Sequence, residues 1–365
     1  MKECRVKDIC IKGSSNLKQK DVEGKKGLYP VYGASGIISS IDTYHQENEY
    51  IAIVKDGSGI GRVSFMPPKS SVIGTMQYIL PKEGYDIRYI GYCLQSLGLN
   101  KYKQGAAIPH IYFRDYGERN IVVSENINEQ RSIVSYLDSS FKLIDEIKNK
   151  ALKSLTEAKA LFQSALAEAM EPKEGWEEKT LGELCSIIGG GTPSKKNSSY
   201  YNGDIPWATV SDMNCDYLQN TICKISDDGV KNSSTQIISK NEVIIATRVG
   251  LGKVCILCQD TAINQDLKGI IPKSDNKLIR KFIFWWFRSK SNYIVSNGVG
   301  ATVKGVKLSF VSNLKISLPT ISTQKQIVSR LDKLSSKVRA IEEKYQKMVE
   351  ECDALKQAML RDVFE

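Results

Sequence analysis

Residues 130–138 read QRSIVSYLD, and residues 324–332 read QKQIVSRLD. The match continues at the same separation, without a gap, as far as the last residue. Identical residues at matching positions include Ile147 and Ile341, Gln163 and Gln357, and Leu166 and Leu360. Self-similarity over such a length predicts a tandem duplication, in which one structural unit is built twice.

The duplication extends into the segments that precede each match. GIGRV at residues 59–63 corresponds to GLGKV at residues 250–254. We therefore expect four segments in the chain. They are a domain at residues 1–127, a helix at 128–171, a second domain at 172–321 and a second helix at 322–365.

The second helix shows the clearest periodicity in the sequence. An unbroken four-three spacing, typical of a coiled-coil seam, is formed by Ile327, Leu331, Leu334, Val338, Ile341, Tyr345, Met348, Cys352, Leu355 and Met359. The matching positions of the first helix carry smaller side chains on average, and the apolar ones are Ile133, Leu137, Ile144, Ile147, Ala151, Ala158, Leu161 and Ala165. Small side chains pack best against bulky ones. We therefore expect the two helices to pair with each other, and to run antiparallel because a domain separates them.

Further apolar residues of the first helix lie outside this predicted seam. They are Phe141, Leu152, Leu155, Phe162 and Leu166. An apolar surface outside the seam indicates either a protein partner or packing against the domains. We expect these five residues to bind a partner.

The composition is that of a globular protein with an anionic partner. The chain has 365 residues, 41% hydrophobic and 25% charged, and its 51 basic and 41 acidic residues give a net charge of +10. Most of the basic excess lies in the two domains rather than in the helices. No apolar run is long enough to span a membrane, and nine cysteines without framework spacing favour a cytoplasmic location.

Both domains are expected to mix helices with many short strands. The predicted fold class is therefore α+β, with two mixed α/β domains and two long helices. In each domain a strand-like run leads into a glycine-rich turn that ends in a basic residue. Glycine allows close approach of the backbone to a ligand, and lysine and arginine suit phosphates or guanine edges; a plain hairpin turn is the alternative. The candidate DNA-binding residues are Lys55, Arg62, Lys101 and Lys103 in the first domain, and Ser194, Lys195, Lys196, Thr247, Arg248, Lys253, Lys304 and Lys307 in the second.

Motifs for catalysis are missing from the sequence. There is no GxxxxGK[ST] phosphate loop, no Pro-Asp start of a nuclease motif, and no Pro-Pro motif with the flanks of an amino-methyltransferase. The only histidines are His45 and His110, and the repeat sets Gly305 opposite His110. Cys255 and Cys258 lack a second pair at zinc-site spacing. We expect no catalytic residue and no metal site.

This organisation resembles the specificity subunit of type I restriction-modification systems. The resemblance is carried by the repeated segment at residues 130–138 and 324–332, by GTPS at 191–194 followed by GDIPW at 203–207, and by YPVYGASG at 29–36. It implies two target recognition domains that alternate with two conserved spacer helices, paired as an antiparallel coiled coil with pseudo-two-fold symmetry.

The resemblance also implies a function. Each domain would read one half of a bipartite, asymmetric target in double-stranded DNA. The helices would space the two halves by about 10 bp between centres and dock two modification subunits. N6-adenine methyl transfer and endonuclease or translocase activity would belong to the modification and restriction subunits, together with S-adenosylmethionine, ATP and Mg²⁺. A non-catalytic assembly scaffold whose basic domains bind protein or RNA remains the alternative.

Overall fold

The computed structural model describes residues 1–105, 109–300 and 303–364. The chain forms two compact units. The first unit contains Met1–Leu152 and the residues from Tyr345 onward, and the second unit contains Lys153–Lys344. Each unit therefore holds one domain and one half of each long helix.

The first domain consists of short strands and short helices. Their order is β1 (Lys2–Arg5), α1 (Val6–Ile9), β2 (Cys10–Ser14), α2 (Gln19–Val22), β3 (Tyr29–Gly33), β4 (Gly36–Ile41), β5 (Tyr50–Val54), β6 (Val63–Met66), β7 (Ser71–Val72), β8 (Met76–Pro81), α3 (Ile87–Ser96), α4 (Phe113–Tyr116) and β9 (Asn120–Val123). The first long helix, α5 (Ile127–Met170), follows.

The second domain repeats this plan. Its elements are β10 (Glu177–Thr180), α6 (Leu181–Leu184), β11 (Cys185–Gly189), β12 (Ile205–Ala208), β13 (Tyr217–Leu218), β14 (Cys223–Ile225), α7 (Asp227–Lys231), β15 (Gln236–Ile238), β16 (Val243–Ala246), β17 (Val254–Leu257), β18 (Thr261–Ile263), β19 (Leu267–Pro272), α8 (Arg280–Ser296), α9 (Leu308–Ser312) and β20 (Lys315–Leu318). The second long helix is α10 (Ile321–Phe364). Glu365, with which the predicted second helix ends, lies outside the described residues.

The sheets of the two domains have the same topology. The antiparallel order β2-β8-β5-β6 recurs as β11-β19-β16-β17, to which β13 is added. The order β4-β3-β7 recurs as β14-β12-β18, extended by β15, and both sheets contain one antiparallel and one parallel pairing at these positions. A two-stranded ribbon precedes each long helix, formed by β1 with β9 and by β10 with β20. The predicted tandem repeat of mixed α/β domains is confirmed.

The central strand of each main sheet is buried on both faces. β5 reads YIAIV and β16 reads VIIA, and every residue of both strands is buried. Successive side chains of a strand point to opposite faces, so alternate residues enter two cores. Ile51 and Ile53 pack with α3, and Val243 and Ile245 pack with α8. One such helix thus covers the sheet in each domain and provides a surface for the long helices.

The repeated glutamine fastens the start of each long helix to its domain. The Gln130 side chain is fully buried, and its Oε1 accepts a hydrogen bond from Asp86 N at 2.7 Å. Its Nε2 donates to Gly84 O and Ser124 O at 3.1 and 2.8 Å. Every polar atom of this amide is therefore satisfied by the backbone, which is the condition for burying it at low cost.

Gln324 makes the same set of bonds in the second domain. Its Oε1 accepts from Ile279 N, and its Nε2 donates to Lys277 O and Pro319 O, each at 2.9 Å. Like Gln130, it is fully buried. The repeated glutamine therefore makes the same attachment in both halves of the chain.

The aspartate at the end of the repeated motif makes a second attachment, further along each long helix. Asp138 accepts hydrogen bonds from Arg88, at 2.6 Å, and from the Tyr92 hydroxyl. In the second domain, the equivalent Asp332 accepts from Lys281 Nζ at 2.8 Å and from Trp285 Nε1 at 2.9 Å. A cation and an aromatic donor on α3 or α8 therefore hold each long helix.

The two long helices run antiparallel in both units. In the first unit, Lys148 Nζ pairs with Asp353 Oδ1 at 2.7 Å, and Lys356 Nζ pairs with Asp145 Oδ1 at 2.6 Å. In the second unit, the pairs are Lys159 with Glu342 at 2.7 Å and Arg330 with Glu168 at 3.6 Å. Residue numbers rise on one helix as they fall on the other, so the predicted antiparallel pairing is confirmed.

The buried seam differs from the predicted one at four positions. Predicted seam residues that are buried or half-buried are Ile133, Leu137, Ile144, Ala151, Ala158, Ala165, Ile327, Leu331, Leu334, Val338, Tyr345, Met348, Cys352 and Met359. Four others are exposed, namely Ile147, Leu161, Ile341 and Leu355. Their C-terminal neighbours, Lys148, Phe162, Glu342 and Lys356, take the inner positions instead.

Three of the five residues predicted to bind a partner lie in the interior of the second unit. Leu155, Phe162 and Leu166 are buried, so that prediction is wrong for them. Phe162 packs against Trp285 with ring centroids 5.7 Å apart. Phe141 is half-buried beside Tyr92 at 5.5 Å, and the fifth residue, Leu152, remains exposed. The aromatic side chains on α3 and α8 turn the apolar face of α5 toward the domains.

Candidate nucleic-acid interface

The glycine-rich loop is built in the same way in both domains. It follows β5 in the first domain and β16 in the second. Equivalent backbone hydrogen bonds close it. In the first domain, Val54 N donates to Arg62 O at 3.0 Å and Arg62 N donates to Gly59 O at 3.1 Å. In the second domain, Ala246 N donates to Lys253 O at 2.9 Å and Lys253 N donates to Gly250 O at 3.1 Å. Gly59, Gly61, Gly250 and Gly252 all have positive φ, between 72° and 87°. The recurring Gly-x-Gly-basic pattern therefore specifies one turn geometry.

A second segment lies against this loop in each domain. In the first domain, Gln104 and His110 form an isolated β-bridge, and Ile111 N donates to Lys55 O at 2.9 Å. In the second domain, Val299 and Gly305 form the bridge, and Val306 N donates to Thr247 O at 2.9 Å. These bonds make two pairs of positions structurally equivalent: Asp56 with Arg248, and His110 with Gly305.

The predicted residues of the first domain lie on the glycine-rich loop and just before the second segment. Lys55 is half-buried, with its Nζ 4.0 Å from Asp56 Oδ2. Arg62, Lys101 and Lys103 are exposed, and Lys101 Nζ lies 5.6 Å from the centre of the Tyr102 ring. Because a Cβ on Gly61 would meet the backbone of Asn100 at 2.4 Å, the loop and the segment around Lys101 pack in direct contact.

Three predicted residues of the second domain form a comparable group. Arg248 is exposed, with Nη1 3.6 Å from Asp266 Oδ1. Lys304 and Lys307 flank Gly305 and are also exposed. A Cβ on Gly305 would lie 2.9 Å from Arg248 Cγ. The arginine and the two lysines therefore share one basic surface.

Two predicted residues of the same loop are placed differently. Thr247 is buried, and its hydroxyl donates to Asp266 O at 3.1 Å. The prediction that Thr247 contacts DNA is therefore corrected: it positions the loop. Lys253 turns to Asn214 Oδ1, at 2.8 Å, and lines a cavity of about 720 Å³ between the second domain and the long helices of its unit.

Ser194, Lys195 and Lys196 are exposed on the loop after β11. This loop is anchored at its base, where Thr192 bonds to Gln265 and Tyr201 donates its hydroxyl to Pro193 O at 2.7 Å. Gln265 precedes Asp266, the partner of Arg248. The loop is therefore connected through Gln265 and Asp266 to the Arg248 surface.

The sequence reasoning missed Lys268, which lies beside this surface. Its Nζ donates to Gln265 O at 2.8 Å and to Leu267 O at 3.0 Å. Burial lowers the pKa of this ammonium, Asp266 raises it and the neighbouring Arg248 lowers it. A single lysine within the strand-like run LKGIIP gives no signal that could have identified it.

Tyr136, Leu143 and Leu152 are exposed on the first long helix, and four further exposed apolar residues of the two long helices form one equivalent pair in each unit. In the first unit they are Ile147 on α5 and Leu355 on α10, 43% and 50% exposed, on helices joined by the neighbouring Lys148–Asp353 pair. In the second unit they are Leu161 and Ile341, 70% and 38% exposed. The repeat relates Ile147 to Ile341 and Leu161 to Leu355, so each unit presents the same two side-chain types.

Comparison with known proteins identifies the family of the chain. Residues 1–157 and 173–351 match the family described as the type I restriction modification DNA specificity domain. The chain belongs to this family. The two matched ranges fall on the two halves of the repeat, so this DNA specificity domain occurs twice in the chain.

Relatives of this type I specificity chain agree with the assignment. The specificity subunit of the type I restriction enzyme EcoR124I/EcoR124II from Escherichia coli is 28% identical over 70% of this chain and 65% of its own length. The MjaVIII specificity subunit from Methanocaldococcus jannaschii is 25% identical over 89% of this chain and 83% of its own length. The chain thus matches less than two thirds of the Escherichia coli relative.

The fold is also found in solved structures. A chain from a study of complex assembly and conformational transition of the type I R-M system has a TM-score of 0.77, with 18% identity, and the match covers 99% of this chain and 96% of that chain. The HsdS subunit from Thermoanaerobacter tengcongensis has a TM-score of 0.54, with 17% identity, over 99% and 95% of the two chains.

Two other kinds of feature are absent from the part of the chain that the structure describes. Across residues 1–105, 109–300 and 303–364, no group of three or more His, Cys, Asp or Glu side chains could hold a metal ion. No helix in the described part of the chain is long and apolar enough to cross a membrane.

Proposed function

We propose that the chain is the DNA sequence-recognition subunit of a type I restriction-modification complex, in which each domain reads one half of a bipartite, asymmetric target. The observation that carries the proposal is one backbone framework with different side chains. Asp56 and His110 occupy the places that Arg248 and Gly305 occupy in the second domain. Two readers of the same shape but different chemistry suit an asymmetric target, whereas identical readers suit a palindrome.

The decisive experiment exchanges one domain and leaves the other as an internal control. Residues 1–127 are replaced by the corresponding domain of another member of the family, and methylated sites are mapped in a host that carries the modification subunits. We expect one half of the methylated sequence to change and the other half to stay. An unchanged target would contradict the proposal and favour a scaffold that binds protein or RNA.

We further propose that the two exposed isoleucine–leucine pairs dock two modification subunits. Ile147 with Leu355, and Leu161 with Ile341, are equivalent under the repeat. Two equivalent apolar surfaces on one chain suit two copies of one partner, because the same partner surface fits both. Leu152, the exposed remainder of the earlier set, lies close in sequence to the first pair.

Substitution of one residue in each pair tests the docking proposal. Ile147→Lys and Leu161→Lys each place a charge on an exposed apolar surface, so we expect each to remove one modification subunit from the purified complex and the double variant to remove both. Leu28→Lys is the matched control, because Leu28 is exposed on the first domain. Full co-purification of the double variant would contradict the proposal.

The same proposal assigns the chemistry to the partners. Methyl transfer with S-adenosylmethionine would belong to the modification subunits, and ATP- and Mg²⁺-dependent cleavage and translocation would belong to the restriction subunits. The helices would set the spacing between the half-sites. We propose a cytoplasmic location, supported by nine cysteines that are free thiols.

A further inference from the structure

The two domains differ most informatively at one equivalent place. In the first domain it holds the imidazole of His110. In the second domain the same backbone position is Gly305, and the space is taken by Arg248, whose Cγ lies 2.9 Å from where a Cβ of Gly305 would be. A histidine in one reader is therefore exchanged for an arginine in the other, at the same point of the framework.

The imidazole in the first domain is held in one tautomer. His110 Nδ1 lies 2.6 Å from Asp56 Oδ1, and the other carboxylate oxygen of Asp56 faces Lys55 at 4.0 Å. A carboxylate only accepts hydrogen bonds, so Nδ1 carries the proton and Nε2 of the neutral ring is an acceptor. The ring also stacks on Tyr112, at 6.3 Å and 26°. Nε2 has no hydrogen-bond partner among the described residues.

Arg248 in the second domain has the opposite hydrogen-bonding character. A guanidinium has only donors, and its side chain is 55% exposed while Asp266 holds one edge at 3.6 Å. Each reader thus contains one partly exposed polar side chain braced by an aspartate, with 39% of the His110 side chain and 55% of the Arg248 side chain exposed. The group is an acceptor in the first domain and a donor in the second.

We propose that these two groups determine specificity, and that the two domains read opposite hydrogen-bond patterns in the major groove. His110 Nε2 accepts from the amino group of adenine or cytosine. Arg248 donates to O6 and N7 of guanine, which is the acceptor pattern that arginine matches best. This inference rests on the proposed function, since it assumes that each domain reads one half-site.

The test uses the chain assembled with its modification subunits and a library of DNA targets randomised at both half-sites. We expect His110→Ala to lower discrimination about fivefold at one adenine or cytosine position of the half-site read by the first domain, and to leave the other half-site unchanged. Arg248→Ala should lower discrimination about 10- to 100-fold at one guanine of the other half-site. The control is His45→Ala, because His45 is the other histidine and is exposed in the same domain.

A second variant tests the tautomer directly. Asp56→Asn keeps the shape of the brace and can donate an N–H to Nδ1, which moves the ring proton to Nε2 and makes that atom a donor. We expect the preference at the same position to move toward guanine or thymine, whose major-groove edges carry acceptors. The inference would be overturned if His110→Ala left discrimination unchanged. It would also be overturned if His110→Ala lost discrimination at a guanine or thymine instead of at an adenine or cytosine.

The domain exchange described above separates this inference from the proposed function. If exchange of residues 1–127 changes the half-site but His110→Ala does not, only the assignment of the reading group is wrong. If the exchange itself has no effect, the proposed function is wrong as well. Thermal unfolding of each variant identifies any variant that has lost its fold. If His110→Ala has lost its fold, the base preference of Asp56→Asn tests the inference instead.

Discussion

Replacement of Gln324 by leucine should destabilise the second unit strongly. Leucine is close to glutamine in size but lacks both polar atoms, so Ile279 N–H and the carbonyls of Lys277 and Pro319 lose their partners. A buried polar group without a hydrogen bond costs about 1–3 kcal/mol. Three such groups lose their partners, and the buried leucine side chain offsets part of the cost. We therefore expect the free energy of unfolding to fall by about 4 kcal/mol.

Urea denaturation measures this loss. At a urea m-value of about 2 kcal/mol/M, the unfolding midpoint of the second unit should fall by about 2 M. Gln326→Leu is the matched control, because Gln326 is exposed two residues further along the same helix, and it should change stability by less than about 0.5 kcal/mol. Faster hydrogen exchange at the Ile279 amide would locate the effect. Equal midpoints for the two variants would refute the argument that the buried amide fastens α10 to its domain.

Two further results are expected from the geometry. Gly61→Ala should lower the free energy of unfolding, measured by heat or urea, clearly more than Gly24→Ala does. Both glycines have positive φ, which costs alanine about 1–2 kcal/mol, but only at Gly61 would the Cβ meet the backbone, at 2.4 Å. Equal losses for the two variants would contradict the close packing of the loop. Burial raises the pKa of Cys185 to about 12, so at pH 8 its thiol stays protonated. Alkylation followed by mass spectrometry should therefore label the exposed Cys223 first and Cys185 only on unfolding; early labelling of Cys185 would contradict the burial.

The duplication and the antiparallel helices could be predicted because they depend on pattern alone. A repeated motif and an unbroken four-three spacing appear in the sequence whatever the helices pack against. The exact seam could not be predicted in this way. Phe162 is drawn inward by Trp285, and that contact joins residues far apart in sequence. Leu161, which occupies the predicted seam position, is left 70% exposed.

The candidate interface shows a similar division. The Gly-x-Gly-basic turn was predicted, and its glycines do adopt the positive φ that the turn requires. The sequence did not reveal that Thr247 is buried, or that Asp56 braces His110. Thr247 bonds to Asp266, 19 residues further along the chain, and Asp56 bonds to His110, 54 residues further along. Local spacing encodes neither contact.

The composition of the first unit has a consequence for folding during synthesis. Leu360 and Phe364 are buried in the core of the first domain, where the Phe364 ring lies 5.1 Å from Tyr89. The ribosome makes these residues only after the entire second domain. The first domain to emerge is therefore completed last, and a nonsense mutation shortly before Leu360 would expose the core of the domain that was made first.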